Sequence, residues 1–226
     1  MILHIRKVLS ARQLDEFTQR LAAAEWADGR ATAGSGSARV KTNEQVCESC
    51  LVGRALGQTI LAELERNPLF LSAALPRHVY PPLFNRYGVG MSFGSHIDNA
   101  MRQIPGTSYR IRTDLSATLF LSDPGSYEGG ELVMEEGDAR PTIKLPAGDM
   151  VLYTADTRHR VTSVTSGVRV AAFFWVQSLV RDNAARNVLF DLDSAVRELG
   201  AIAPDAPALL RLTSAYHSLI RRWAEP

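Results

Sequence analysis

The chain has 226 residues, 46% of them hydrophobic and 22% charged, with a formal net charge of +1. It is long enough to bury a sizeable core in one large unit, and its charge balance favours neither a nucleic-acid nor a membrane-surface partner. The longest apolar run, "VAAFFWV" at 170–176, falls short of the about 18 to 20 residues that cross a bilayer, and "MILHIRKVLS" is too brief and too charged for a secretory leader, so a cytoplasmic protein is expected.

After a short apolar strand, "ILHI", Ser10 and Gln13 have capping-box spacing ahead of a helix whose Leu14, Phe17, Leu21 and Ala24 recur at helical period. "ADGRATAGSGSAR" reads as a loop, and Asn43 is expected to begin a second long helix running through "EQVCESCLVGRALGQTILAELER". Cys47 and Cys50 fall inside that pattern. With no second CxxC or HxxxH to complete a zinc site, they are read as helix-packing residues.

From about residue 77 the apolar period changes to two. About eight short strands follow, separated by turns such as "DPGSYEGG", "PAGD" and "TSG", and no helix alternates with them, so the pattern predicts a sandwich or jelly roll. Segment 101–112, "MRQIPGTSYRIR", lacks clear periodicity and reads as an insertion. Its Arg102, Arg110 and Arg112, with Gly106 as a hinge, make it either a lid over a site or a solvated loop. After Gln177 two helices are expected, one ending at Gly200 and one from "PALLRLTSAYHSLIRRW"; they either close the sandwich or form a homodimer face. The expected fold is α+β, one compact unit in three parts: an N-terminal helical layer (1–76), a double-stranded β-helix core (77–178) and a C-terminal helical extension (179–226).

The chemistry gathers around "SFGSHIDNA". In a strand, side chains two apart share a face, so His96 and Asp98 project together. His4 and His217 read as surface or satisfied core residues. His159 opens a late strand 61 residues after Asp98, and Arg169 follows ten residues later in a strand that is apolar on both parities. A guanidinium buried there needs a carboxylate, either a protein acid such as Glu131 or Asp149, or a carboxylate-bearing cosubstrate held by paired hydrogen bonds. Two histidines and one carboxylate on one face of an iron ion leave positions open for a chelating 2-oxo acid and for dioxygen.

These residues, with the stretches "PPLFNRYGVGMSFGSHIDNA", "SATLFLSDPGSYEGGELV" and "LPAGDMVLYTADTRHRVTSVTSGVRVAAFFWVQSLVRD", resemble the bacterial PKHD-type hydroxylases, iron(II)- and 2-oxoglutarate-dependent dioxygenases related to prolyl 4-hydroxylases. The resemblance implies a jelly-roll enzyme that hydroxylates a C–H bond of a small-molecule or peptidyl substrate, with release of succinate and carbon dioxide, and that uses L-ascorbate. It implies His96, Asp98 and His159 as iron ligands, Arg169 as partner of the distal 2-oxoglutarate carboxylate, and Tyr87 as a further cosubstrate contact. A second cosubstrate tyrosine of the animal oxygen-sensing relatives falls on Phe120, and the family's name-giving segment appears as "PRHV" at 76–79, so His78 matches a signature without being a ligand. Two rival readings stand beside this one: a metal-binding or sensing module without activity, and a zinc hydrolase with Asp156 or Glu131 as base.

Overall fold

The computed structural model describes residues 1–32, 36–135 and 140–225. In chain order its regular elements are β1 (Ile2–Ile5), α1 (Ala11–Ala22), β2 (Trp26–Asp28), β3 (Lys41–Thr42), β4 (Glu44–Val46), α2 (Leu51–Leu64), α3 (Pro68–Ala74), β5 (Pro76–Val79), β6 (Leu83–Tyr87), β7 (Ser92–His96), β8 (Met101–Gln103) and β9 (Arg110–Arg112). There follow β10 (Leu115–Phe120), β11 (Tyr127–Glu128), β12 (Leu132–Met134), β13 (Thr142–Ile143), β14 (Met150–Thr154), β15 (His159–Val161), β16 (Ser166–Gly167), β17 (Arg169–Ser178), α4 (Asn183–Ile202) and α5 (Pro207–Trp223).

Two antiparallel sheets face each other as a jelly roll. The larger runs β1-β14-β10-β17-β6-β4-β2, with β5 also on β17, and the smaller runs β13-β12-β15-β7-β3. Strand parity divides the large sheet into two faces. Phe84, Leu115, Ala117, Leu119, Leu152, Ala172, Phe174 and Val176 form one core with Phe17 and Leu21 of α1, Leu56, Ile60 and Leu64 of α2, and Phe70 of α3. The opposite parity, including Tyr87, Phe120, Val151 and Tyr153, meets Leu132, Met134 and Val161 of the small sheet. Because helices cover one face and a sheet the other, β17 is apolar on both parities, as its sequence shows.

The N-terminal part departs from expectation. The capping box holds: Ser10 N–H donates to Gln13 Oε1 at 2.8 Å, and Gln13 N–H donates to Ser10 Oγ at 3.4 Å. But α2 begins at Leu51, not Asn43, because Glu44–Val46 instead form β4, which pairs with both β2 and β6 and so carries the sheet edge outward. Cys50 therefore caps α2, its Sγ accepting from Gly53 N–H at 3.3 Å, and exposed Cys47 precedes the helix, so neither is a residue packed inside it. Within 1–76, β1, β2 and β4 join the large sheet and β3 the small one, so this segment supplies strands as well as helices. The short helix α3, which starts with Pro68 and is capped by the Asn67 side chain, was not anticipated either.

Segment 101–112 is a hairpin rather than an irregular insertion. β8 pairs with β9, and Ile111, fully buried, packs with Tyr80, Leu83 and Trp175. At the C-terminus, α4 runs two residues past Gly200 to Ile202, since this glycine keeps a helical conformation. Tyr216, Leu219 and Trp223 of α5 close on a cluster of Leu75, Val180 and Leu189.

Candidate metal centre and its cavity

β7 and β15 lie side by side with His96 opposite His159, which sets the two imidazoles next to each other, ring centroids 4.2 Å apart. Asp98 lies two residues beyond the end of β7. Its carboxylate comes back to the pair all the same: Asp98 Oδ1 is 4.0 Å from His96 Nε2, and one ligand atom from each of His96, Asp98 and His159 lies within 4.8 Å of the others.

Hydrogen bonds fix which atoms remain for a metal. His96 Nδ1 faces the Gly94 carbonyl at 2.8 Å and His159 Nδ1 faces the Thr157 carbonyl at 2.9 Å, so each Nδ1 is the protonated donor and each Nε2 keeps its lone pair. Ser116 Oγ donates to Asp98 Oδ2 at 2.6 Å, which leaves Oδ1 toward the histidines. Burial, and then the neighbouring His159, pull the His96 pKa down to about 4, so its imidazole is neutral and ready to ligate near pH 7. Tyr153 Oη stands 3.3 Å from His159 Nε2, and burial, then Asp98, hold its phenol protonated well above the usual range. Two imidazoles with Nε2 turned inward and one anchored carboxylate, with their second atoms occupied, suit a divalent first-row metal that keeps open positions.

Arg169 starts β17 on the facing sheet, opposite Tyr87 in register, and lines the same cavity as the triad. It is 1% exposed. Its guanidinium carbon lies 5.3 Å from the Tyr87 ring centroid and 5.2 Å from that of Phe120. Gly130, at φ +67°, leaves room for it: a Cβ there would sit 3.0 Å from Arg169 Cδ. Neither acid considered as its structural partner plays that part. Asp149 accepts from Lys7 N–H at 2.8 Å and pairs with His4 at 2.7 Å, while Glu131 accepts from Thr162. Among the described residues no carboxylate comes within ion-pair distance of Arg169, and its Nε has no hydrogen-bond partner. Tyr87 is 1% exposed, and burial raises its pKa against the opposing pull of Arg169, so it is a hydroxyl donor.

The remaining candidates lie elsewhere. His78 bonds the Tyr109 hydroxyl at 2.7 Å, His217 is exposed on α5, and Asp156 takes a hydrogen bond from Asn183. Ser116, Thr118 and Tyr153, which line the cavity, were not anticipated, although Ser116 and Thr118 were visible as the polar parity of "LSATLF". Lys41 and Arg102 also line it; Lys41 gave no signal in a stretch without periodicity.

The chain matches known protein families over more than half of its length. Residues 82–177 match the model of the 2OG-Fe(II) oxygenase superfamily, and residues 183–225 match the PKHD-type hydroxylase C-terminal domain. The chain is 54% identical to a PKHD-type hydroxylase of Paraburkholderia xenovorans and 52% identical to one of Gluconobacter oxydans, each match covering 100% of both chains. Among solved structures it resembles, in fold, a viral collagen prolyl hydroxylase from Paramecium Bursaria Chlorella virus-1 (TM-score 0.55, 16% identity, 78% of this chain and 96% of that one). It likewise resembles a Trichoplax adhaerens prolyl hydroxylase in complex with a hypoxia-inducible-factor peptide (TM-score 0.55, 14% identity, 83% and 86%).

Proposed function

The chain belongs to the PKHD-type hydroxylase family of the 2OG-Fe(II) oxygenase superfamily, and from that premise we propose that His96, Asp98 and His159 hold its iron and that Arg169 receives the distal carboxylate of 2-oxoglutarate. The protein is an enzyme, an iron(II)- and 2-oxoglutarate-dependent dioxygenase. When bound, iron and 2-oxoglutarate supply, with dioxygen, the oxidising power that hydroxylates a substrate C–H bond and leaves succinate and carbon dioxide.

The chain's own residues orient and shield. The Gly94 and Thr157 carbonyls hold the two imidazoles with Nε2 inward, and Ser116 holds one oxygen of Asp98 so that the other faces the metal. Arg169 offers a planar pair of N–H donors to a carboxylate in a buried site, and the Tyr87 hydroxyl adds a third donor beside it. Phe120, whose ring centroid lies 5.2 Å from the guanidinium carbon, offers no hydrogen bond, so the distal carboxylate depends on the arginine more than it would with a second tyrosine. The β8–β9 hairpin, tied to β5 through Tyr109 and His78, acts as a lid over the entrance. The substrate is a small molecule or a peptide.

The observation that carries the residue assignment is the buried Arg169, without a protein carboxylate among the described residues, in one cavity with three converging ligand atoms. The test is anaerobic titration of metal-free protein with iron(II) and 2-oxoglutarate. A visible chelate band is expected in the wild type, followed by succinate when oxygen is admitted; retention of that band in Asp98→Ala and His159→Ala would remove the assignment.

A further inference from the structure

The iron site makes no use of Cys47 or Cys50, the two cysteines of the chain. Both stand at a strand-to-helix junction: β4 ends at Val46, residues 47–50 turn, and α2 begins at Leu51. Cys50 N–H donates to the Cys47 carbonyl at 3.1 Å, so the four residues close a hydrogen-bonded β-turn. Such a turn brings its first and last Cα atoms within about 7 Å, and a disulfide spans about 4.4–6.8 Å between Cα atoms. The backbone therefore holds the two cysteines at a separation that a disulfide bridges.

The two sulfurs differ in access. Cys47 is exposed, and its Sγ lies 3.1 Å from Ser49 Oγ. The Ser49 hydroxyl, and then the Ser49 backbone N–H, lower its pKa, which raises the share of nucleophilic thiolate. Cys50 is half-buried, its Sγ accepting from Gly53 N–H at 3.3 Å. Gly53 leaves space beside that sulfur, since a Cβ there would lie 3.3 Å from it. An accessible thiol with a sheltered one three residues later is the arrangement of an attacking and a resolving cysteine. A metal does not account for the pair: among the described residues, neither cysteine belongs to a group of three or more ligating side chains. The turn also stands near the iron cavity. Glu48, between the cysteines, is 3.5 Å from the Tyr80 hydroxyl, and the Tyr80 ring meets Trp175 of the cavity wall with centroids 5.4 Å apart.

We infer that Cys47 and Cys50 form a redox-active dithiol, which hydrogen peroxide closes to an intramolecular disulfide. The Cys47 thiolate attacks one peroxide oxygen, the O–O bond breaks, and the hydroxide that leaves takes up the proton lost by the thiol, giving water. Cys47 is then a sulfenic acid. The Cys50 sulfur attacks the sulfenic sulfur, the S–S bond forms as the S–O bond breaks, and the hydroxyl departs with the Cys50 proton as a second water. Both thiols are oxidised and one peroxide is reduced. This chemistry is independent of the iron assignment.

The test treats dilute, full-length, metal-free protein with hydrogen peroxide and reads intact mass and free thiols. The wild type is expected to lose both thiols together and to end lighter by two hydrogen atoms. It should run as a single chain on a non-reducing denaturing gel and regain both thiols with dithiothreitol. Cys47→Ser should lose its remaining thiol roughly tenfold or more slowly than the wild type loses its pair. Cys50→Ser, whose serine still caps α2, should stop at a sulfenic acid on Cys47 that dimedone captures.

Four outcomes overturn the inference: no loss of thiols, a wild-type product that carries added oxygen and keeps the Cys50 thiol, a disulfide that links separate chains, or a Cys47→Ser variant oxidised as fast as the wild type. Because serine at either position keeps a hydrogen-bonding side chain in the turn, both variants are expected to fold, and their thermal unfolding is measured alongside.

Discussion

Replacing Arg169 with leucine separates a cosubstrate-binding role from a structural one. The guanidinium is 1% exposed, has no carboxylate within ion-pair distance among the described residues, and leaves its Nε without a partner. In the metal-free protein it therefore carries a desolvation cost with little repayment, and a leucine there should leave stability within about 1 kcal/mol of wild type or raise it. With 2-oxoglutarate bound the balance reverses, because the leucine leaves a buried carboxylate uncompensated, a loss of about 3–5 kcal/mol. That corresponds to a weakening of roughly two to three and a half orders of magnitude in the 2-oxoglutarate Kd, at 1.36 kcal/mol per factor of ten. Arg169→Lys keeps the charge but not the planar pair of donors, and losing one charged hydrogen bond, about 1.5–3 kcal/mol, predicts about a tenfold to hundredfold weakening. Calorimetry with manganese(II) in place of iron, alongside chemical denaturation of the metal-free variants, reads both quantities. A leucine variant that loses about 3 kcal/mol or more of stability while still binding 2-oxoglutarate like the wild type would show that the arginine is a structural anchor.

Three further outcomes are expected. Ser116→Ala, which removes the 2.6 Å hydrogen bond to Asp98 Oδ2, should weaken manganese(II) binding by about tenfold to a hundredfold while Ser116→Thr restores most of it; unchanged affinity in the alanine variant would mean that Ser116 does not position the ligand. Because the fold holds His96 neutral down to about 4 while an unfolded histidine takes its proton near 6.5, the unfolded chain binds more protons between those values. Stability of the metal-free protein should therefore climb from pH 4 to pH 6.5, by at most about 3 kcal/mol from this group, and be indifferent to it above; a His96→Gln variant with the same slope would assign that slope to other residues. Exposed Cys47, whose thiol is acidified by the Ser49 hydroxyl 3.1 Å away, should react with iodoacetamide ahead of the capping Cys50, and labelling that is no slower in Cys47→Ser would contradict this.

How much was legible depended on how local the cause was. The Ser10 capping box, the period-two strands after residue 77, the apolar character of both parities around Arg169 and the two C-terminal helices each express a rule acting over a few residues. The helix expected from Asn43 failed for the opposite reason. Glu44–Val46 sit in a helix-like pattern, but they pair with strands before and after them in sequence, and the ladder hydrogen bonds gained there outweigh a weak local preference. The hairpin 101–112 was hidden in the same way, since its register rests on Ile111 packing against Tyr80 and Trp175, both far away in the chain.

The sequence by itself determined the residue types that can ligate a metal, the interior position of Arg169 and the all-antiparallel character of the core, because side-chain chemistry and strand parity are properties of a short stretch of chain. Only the tertiary structure decided that β15 lies against β7 with His159 opposite His96, that Ser116 holds the carboxylate of Asp98, and that Lys41 and Arg102 share the cavity wall. Those relations join residues tens of positions apart, and their distances follow from which strands neighbour one another once two sheets bury their apolar faces together, something no local pattern encodes.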